Sequence, residues 1–315
     1  MKNIYFIIAV ALIFFMLIIP LLTLTVNQKN NPTTQNPIIN TNVKEFLVKD
    51  TQTGEIKNVP VSDYIFGVVA AEMPAEYESE ALKAQAIAAY TYAVFKSQKN
   101  SVQGYHITND YKVDQAFITK QEAREKWGDK ADFYEQKITA AVNSVSGKYI
   151  DYNGQPILAL YHAISGGKTE SCEAVFGNSL PYLCGVDSSG DILNPDYQKT
   201  QSFTPEQFST ALKEVVELSG EPINWITEVK TQENGYIESV TVGGVTVKGT
   251  EIRKLLGLRS ANFDVAFGQN FDFTVRGYGH GVGLSQSGAD YLAKQGKTAE
   301  EIINWYYPGC TIKSN

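Results

Sequence analysis

The 315-residue chain carries 27 Lys and Arg against 34 Asp and Glu, a formal net charge of −7, with 43% hydrophobic and 19% charged residues. That hydrophobic content supports a packed core and excludes a wholly disordered chain. The acidic balance excludes a nucleic-acid partner, because a duplex binder needs clustered Lys and Arg to displace counterions.

Between Lys2 and Lys29 there is no charged residue, and roughly 20 apolar residues suffice to cross a bilayer. A cleaved signal peptide is the competing reading. Against it, the apolar run exceeds a usual signal core and no small-x-small cleavage site follows. Residues 1–26 are therefore expected to form a retained transmembrane helix, kinked near Pro20, with Lys2 cytoplasmic and the rest extracytoplasmic. Residues 27–43, beginning "NQKNNPTTQNPIINTN", are too polar to pack and too broken for a helix, so they are expected to be a flexible linker. The folded domain is expected over 44–315.

Alternation on both sides of Gly54 predicts a short hairpin. Ser62 or Asp63 is the expected cap of a helix that stops near Glu72, because Pro74 pushes Met73 out of helical backbone. Ser79 is the expected cap of "EALKAQAIAAYTYAVFKSQ", whose alanines let another backbone come close. One helix is expected from Lys120 to Ser146. Hairpins are expected in "GKYIDYNGQPILALYHAIS", turning at Asn153-Gly154, and in "ESVTVGGVTVKG", turning at Gly243-Gly244. Thr250 is the expected cap of "EIRKLLGL", and "FDFTVRGYGHGVGLSQSGADYLAKQG" reads as strand, glycine-rich loop and helix. Helices and strands alternate irregularly, so the predicted class is α+β, with mixed helices and antiparallel hairpins.

Glu72 is the candidate catalytic residue. It ends a helix, where the dipole disfavours negative charge, and follows Val68, Val69, Ala70 and Ala71. Both features raise a carboxyl pKa and favour a protonated acid, which glycoside cleavage requires. A Glu closing a helix is more often an ordinary surface residue, and Glu76, Glu78 and Glu80 stand in a polar segment that reads as exposed. Ser165 to Thr169, "SGGKT", lacks the first glycine of a phosphate loop, since His162 stands there. It is either a tight turn or a loop whose amides and Ser165 hydroxyl donate to sugar acetamido groups. "GYGHGVGLSQSG" is no dinucleotide fingerprint either. Its glycines imply close backbone approach, with Tyr278, His280 and Gln286 facing that space, or with His280 simply structural. Eighteen Tyr and fifteen Phe suit stacking on sugar rings, although core positions account for most.

The Cys are Cys172, Cys184 and Cys310. Three readings compete for the first two: a disulfide, free thiols, or a structural zinc held with His162. Zinc is the one preferred, since an odd Cys count weakens a disulfide account and the loop after His162 would gain from a metal staple. Cys310 is a bystander or a fourth ligand.

Three stretches share one resemblance. "YIFGVVAAEMPAEYESEALKAQAIAAYTYA", "YHAISGGKTESCEAVFGNSLPYL" and "GYGHGVGLSQSGA" resemble the stage II sporulation protein D family, which includes amidase enhancers. The likeness spans Lys44 to Ile312, with Tyr90 standing where the family's ARTYA pattern has Arg. It implies a lytic transglycosylase of spore engulfment, cleaving peptidoglycan between N-acetylmuramic acid and N-acetylglucosamine to leave 1,6-anhydro ends. Glu72 would be acid and base, and Ser165, Gly166, Gly167, Lys168, Tyr278, His280 and Gln286 would line a glycan-binding cleft. The resemblance further implies strands stripped of stem peptide, a membrane-bound amidase partner and a place between forespore and mother-cell membranes. A non-catalytic, glycan-binding amidase enhancer is the alternative it allows.

Overall fold

The alanine-rich stretch is the hub around which the domain is built. The computed structural model describes residues 41–315; the expected anchor and nearly all of the expected linker lie outside them. Among the described residues no helix is long and apolar enough to cross a membrane.

Strands β1 (Glu45–Lys49) and β2 (Ile56–Pro60) form the expected antiparallel hairpin. Helix α1 (Val61–Glu72) follows without a loop and starts before the expected caps. Pro60 ends the strand at φ −53°, already suited to helix entry, and no side chain caps it. Helix α2 (Ser79–Lys99) also lacks a side-chain cap. Ser79 is its first residue, and the amide of Glu78 instead donates to Asp290 Oδ1 at 2.7 Å.

Strand β3 (Ile107–Thr108) pairs parallel to β1. The single helix expected from Lys120 to Ser146 is two, α3 (Lys120–Trp127) and α4 (Ala131–Ser144), parted by a 3₁₀ turn. Gly128 causes the break: its φ of 54° with ψ −126° is open to glycine and strained for side-chain-bearing residues. A capping box of Thr119 and Glu122 starts α3.

The Asn153-Gly154 turn joins β4 (Lys148–Tyr152) to β5 (Gln155–Pro156), with Asn153 in left-handed backbone at φ 54°. The expected hairpin goes no further. Strand β6 (Tyr161–His162) leaves the sheet and is paired parallel with a later strand, Leu284–Ser285. A short helix, α5 (Cys172–Phe176), follows.

From residue 198 the chain is mostly sheet. Strand β7 (Gln198–Phe203), helix α6 (Pro205–Leu212), strands β8 (Ile226–Thr231), β9 (Ile237–Val242) and β10 (Val245–Lys248), helix α7 (Gly249–Leu256) and strands β11 (Asn262–Phe267) and β12 (Phe271–Arg276) make two three-stranded antiparallel sheets, ordered β10-β9-β8 and β11-β12-β7. Helix α7 opens at Gly249, one residue ahead of Thr250, which does not cap it. Phe208 of α6 stacks on Phe271 with ring centroids 4.2 Å apart, and Trp225 lies at 5.9 Å from Phe271. Strand β13 (Leu284–Ser285), helices α8 (Gln286–Lys294) and α9 (Ala299–Tyr306) and strand β14 (Thr311–Ser314), which joins β4, close the chain.

The class is α+β. Helix α2 packs against α1, α4, α8, α9 and β4. Ala81, Ala84, Ala86, Ala88, Ala89 and Ala93 are buried along it, so small side chains on all sides let five elements crowd one helix.

Candidate active site

Glu72 is the last residue of α1. Met73 has extended backbone at φ −113°, and its amide donates to the carbonyl of Val69 at 3.0 Å, as Pro74 requires. The carboxylate is half-buried and accepts a hydrogen bond from the amide of Ala116 at Oε1, 2.7 Å away. Burial raises its pKa; the Ala116 amide, the Gln286 side chain and Lys126 each oppose that rise. The expectation of a raised pKa stands, with desolvation as its main cause. No neighbouring carboxylate adds to the shift.

Ala116 belongs to a loop that no motif marked. It runs over α1 at Gly67, where a Cβ would meet the Ile118 carbonyl at 2.2 Å, so only glycine permits this approach. The loop is fastened by Asp114, which accepts from the Thr108 amide at 2.8 Å and pairs with Lys96 at 2.7 Å. Gln115, 2% exposed, fastens it again. Its amide donates to Tyr64 Oη at 2.9 Å, and its carbonyl accepts from the Tyr161 hydroxyl at 2.7 Å. Lys126 of α3 donates to the carbonyl of Ala70, two residues before the acid.

The second motif reaches Glu72 through Gln286, first residue of α8. Gln286 is buried, hydrogen-bonds Glu72, and donates to Gln85 Oε1 of α2 at 3.4 Å. Sequence segments some 200 residues apart thus share one carboxylate. Glu76 and Glu80 are placed elsewhere: Glu76 accepts from the Tyr134 hydroxyl, which holds it below the usual carboxylate range, and Glu80 pairs with Lys83 at 2.7 Å. Glu78 is exposed.

The SGGKT loop does different work from that expected of its small residues. Ser165 is fully buried, and both its amide and its hydroxyl donate to Asp191 Oδ2, at 3.0 and 2.6 Å. Its hydroxyl proton is therefore committed to a buried carboxylate. The amides of Gly166 and Gly167 are occupied too, donating to Tyr236 Oη and Ser165 Oγ, each at 3.1 Å. Lys168 is exposed. Asp191 is a buried hub that also accepts from Ser188 Oγ at 2.8 Å and, at Oδ1, from Ser285 Oγ at 2.9 Å. Burial raises its pKa against these donors. Sequence reasoning missed Asp191; a lone Asp in "SSGDILN" carries no spacing signal.

Tyr278 is 51% exposed, with the Arg259 guanidinium 4.5 Å from its ring centroid. His280 is half-buried between Phe176 and His162, ring centroids 5.5 and 5.7 Å away, and its Nδ1 accepts from the Val282 amide. Burial pushes His280 down to about 3 and His162 to about 4, so both are neutral at pH 7. His162 faces the Val282 carbonyl through Nδ1 at 3.1 Å, leaving a buried Nε2 without a partner. That orphan suits a metal ligand. Cys172 is buried, Cys184 is exposed, and among the described residues no group of three His, Cys, Asp or Glu side chains stands where it could hold a metal ion. All three Cys are free thiols, so the disulfide reading is not realised either.

Tyr90, where the resembled pattern has Arg, points to the ends of the domain. It is 4% exposed, its hydroxyl donates to the Thr41 carbonyl at 2.5 Å, and Asn315 Nδ2 donates to it at 2.8 Å.

Residues 49–152 match the family described as stage II sporulation protein. The chain is 39% identical over 268 residues to the stage II sporulation protein D of Bacillus subtilis, covering 83% of this chain and 77% of that protein. It is 36% identical over 267 residues to the protein of the same name from Bacillus amyloliquefaciens, covering 83% and 76%. To an amidase enhancer of Bacillus subtilis it is 25% identical over 306 residues, covering 79% of this chain and 40% of that protein. Over most of its length, then, this chain belongs to the stage II sporulation protein D family.

Proposed function

We propose that the chain is a lytic transglycosylase acting on peptidoglycan glycan strands, with Glu72 as its single acid–base group. The observation that carries this reading is the half-buried Glu72 carboxyl, raised in pKa by desolvation with no second carboxylate adding to the shift. Protonated Glu72 donates to the glycosidic oxygen as the C1–O bond breaks. The resulting carboxylate then takes the proton from the muramic 6-hydroxyl, whose oxygen bonds to C1. The product is a 1,6-anhydro end, Glu72 is protonated again, and no water enters. A hydrolase would need a second carboxylate to activate water or to bond C1. The Ala116 amide and Gln286 hold the carboxyl in place through both steps and stabilise its charged form between them.

The wider setting belongs to the same proposal. Residues 1–26 anchor the enzyme, the domain faces the extracytoplasmic side, and its substrate is strands already stripped of stem peptide by a neighbouring amidase. The similarity to an amidase enhancer supports that pairing. No step of this reaction is routed through a zinc on His162, Cys172 and Cys184.

The test is mass spectrometry of amidase-treated peptidoglycan after digestion. Anhydro ends from the wild type, and their loss in Glu72→Gln, are expected. A folded wild type that binds glycan and makes no anhydro ends is instead an enhancer that binds without cleaving.

A further inference from the structure

The two partners that steady the Glu72 carboxyl come from distant stretches of chain, the Ala116 amide from the loop after β3 and Gln286 from the start of α8. Strand β6 lies behind both.

Gln286 is placed by the backbone on either side of it. The Leu284 amide donates to the Leu160 carbonyl at 3.1 Å, and the Ser287 amide donates to the Ala163 carbonyl at 3.0 Å. Gln286 is thus fixed between two bonds to one short stretch, in which Tyr161 pairs with Leu284. Glycine permits the approach: a Cβ at Gly283, whose φ is 74°, would meet the Leu160 carbonyl at 2.0 Å.

Ala116 is placed by the side chain of that same Tyr161. Its hydroxyl donates to Gln115 Oε1 at 2.7 Å. Nε2 of Gln115 is held by Tyr64 Oη and the Ala89 carbonyl, at 2.9 and 3.3 Å, so both ends of this buried amide are fixed. Asp114 and the Ile118 amide fasten the loop two residues before and two residues after Ala116. Gln115 is the residue directly joined to the donor.

We propose that Tyr161 is a positioning residue for the acid: its hydroxyl, acting through Gln115, and its backbone, acting through the β6–β13 pairing, set the Ala116 amide and Gln286 on Glu72 from one strand. The consequence for turnover rests on the reading of Glu72 as the acid–base group; the link from Tyr161 to the carboxyl does not. The titratable groups around Glu72 are Lys126 of α3, Tyr64 of α1, Tyr92 of α2 and Tyr161, with Asp114 near Tyr64 and Tyr92. Burial raises all three tyrosines, so they are neutral where Glu72 titrates. Loosening the Ala116 donor therefore destabilises the carboxylate form alone and moves the Glu72 titration to higher pH.

The test is a carbon-13 NMR titration of the full chain in detergent, labelled at the Glu carboxyls, with the Glu72 signal identified by its loss in Glu72→Gln. Tyr161→Phe, which removes only the hydroxyl, moves the titration to higher pH. Gln115→Leu does the same, and the double variant moves it no further, because both substitutions break one link. Gln115→Asn withdraws the same oxygen by one carbon and serves if Tyr161→Phe does not fold. Tyr134→Phe removes a hydroxyl that donates to Glu76 instead; it leaves the Glu72 titration where it was, as any hydroxyl that merely supports the fold does. In turnover, Tyr161→Phe lowers kcat by about tenfold, the order expected of one hydrogen bond, with KM held and the high-pH limb following the titration. A folded Tyr161→Phe protein whose Glu72 titrates as in its parent overturns the proposal, and so do shifts that add in the double variant. A wild type that makes no anhydro ends, with the titration still moved by Tyr161→Phe, sinks the transglycosylase reading and leaves the positioning role standing.

Discussion

The helical region around α2 and the β-rich region from β7 to β12 are built on opposite rules. Between residues 198 and 276 the buried side chains are Phe, Trp, Val, Leu and Ile together with Tyr236 and Ala261, and among the described residues Ser260 and Asn262 are the only other polar ones buried there. Around α2 and its partners the interior holds Gln85, Thr91, Gln115, Asp191, Ser285 and Gln286. A core of stacked aromatics gains stability from desolvation alone. A core threaded with polar groups is stable only if each finds a partner, and in return it fixes those partners in one geometry. The site lies in the second kind of core, so Glu72 is held by a network that also folds the domain.

That contrast is tested most severely by Glu72→Gln. Turnover should fall by about 10² to 10⁴, the usual weight of a general acid–base group, while the thermal midpoint moves little; steady-state release of anhydro-muropeptides and calorimetry measure the two. The β-rich core should show the reverse. Phe271→Ala removes a ring stacked on Phe208 and Trp225 and should cost ~3–5 kcal/mol of stability, measured by urea unfolding, with activity per folded molecule unchanged.

Asp191→Asn should fall between these. Its carboxylate accepts from Ser165, Ser188 and Ser285, and an amide offers one acceptor oxygen where two are used. A loss of ~1–3 kcal/mol is expected, together with weaker glycan binding. If Asp191→Asn lowers stability and leaves binding intact, the polar core is merely structural at that point.

The smallest effect is a shift in pH dependence. A general acid works while protonated, so activity should fall as pH rises through the Glu72 pKa, which burial places above the ordinary Glu range. Gln286 stabilises the charged form; Gln286→Leu should therefore move that limb to higher pH. The linked stability has the same sign. Raised in the folded state, Glu72 adds stability below the ordinary Glu pKa and loses it as pH rises through the folded value. A limb in kcat/KM that stays fixed or moves to lower pH in Gln286→Leu would break the link between the two motifs.

Much of the secondary structure was legible because it depends on neighbours in sequence. Pro74 ends α1, Asn153-Gly154 turns β4 into β5, and Gly243-Gly244 turns β9 into β10. The misjudged stretches had competing local signals. Gly128 breaks an otherwise helical run, and Tyr161-His162 reads as a hairpin arm yet pairs with Leu284-Ser285. Within the site, Glu72 and Gln286 were legible through their motifs, whereas Ala116, Gln115, Lys126 and Asp191 were not. Ala116 acts through its backbone amide, which no side-chain pattern records. Asp191 acts through Ser165 and Ser285, 26 and 94 positions away in sequence.

The sequence by itself determined the α+β class and the family, because these rest on periodicity, turn chemistry and short-range motifs. It also set the direction of the Glu72 pKa, since apolar neighbours within one helical turn are local. Only the tertiary structure decided that desolvation outweighs the Ala116 and Gln286 hydrogen bonds. The same holds for Ser165, whose amide and hydroxyl are committed to Asp191, and for Tyr90, whose hydroxyl bonds Thr41 and Asn315. Each of these turns on which residues, tens to hundreds of positions apart, compete for one donor or one volume, and chain connectivity alone does not say who wins.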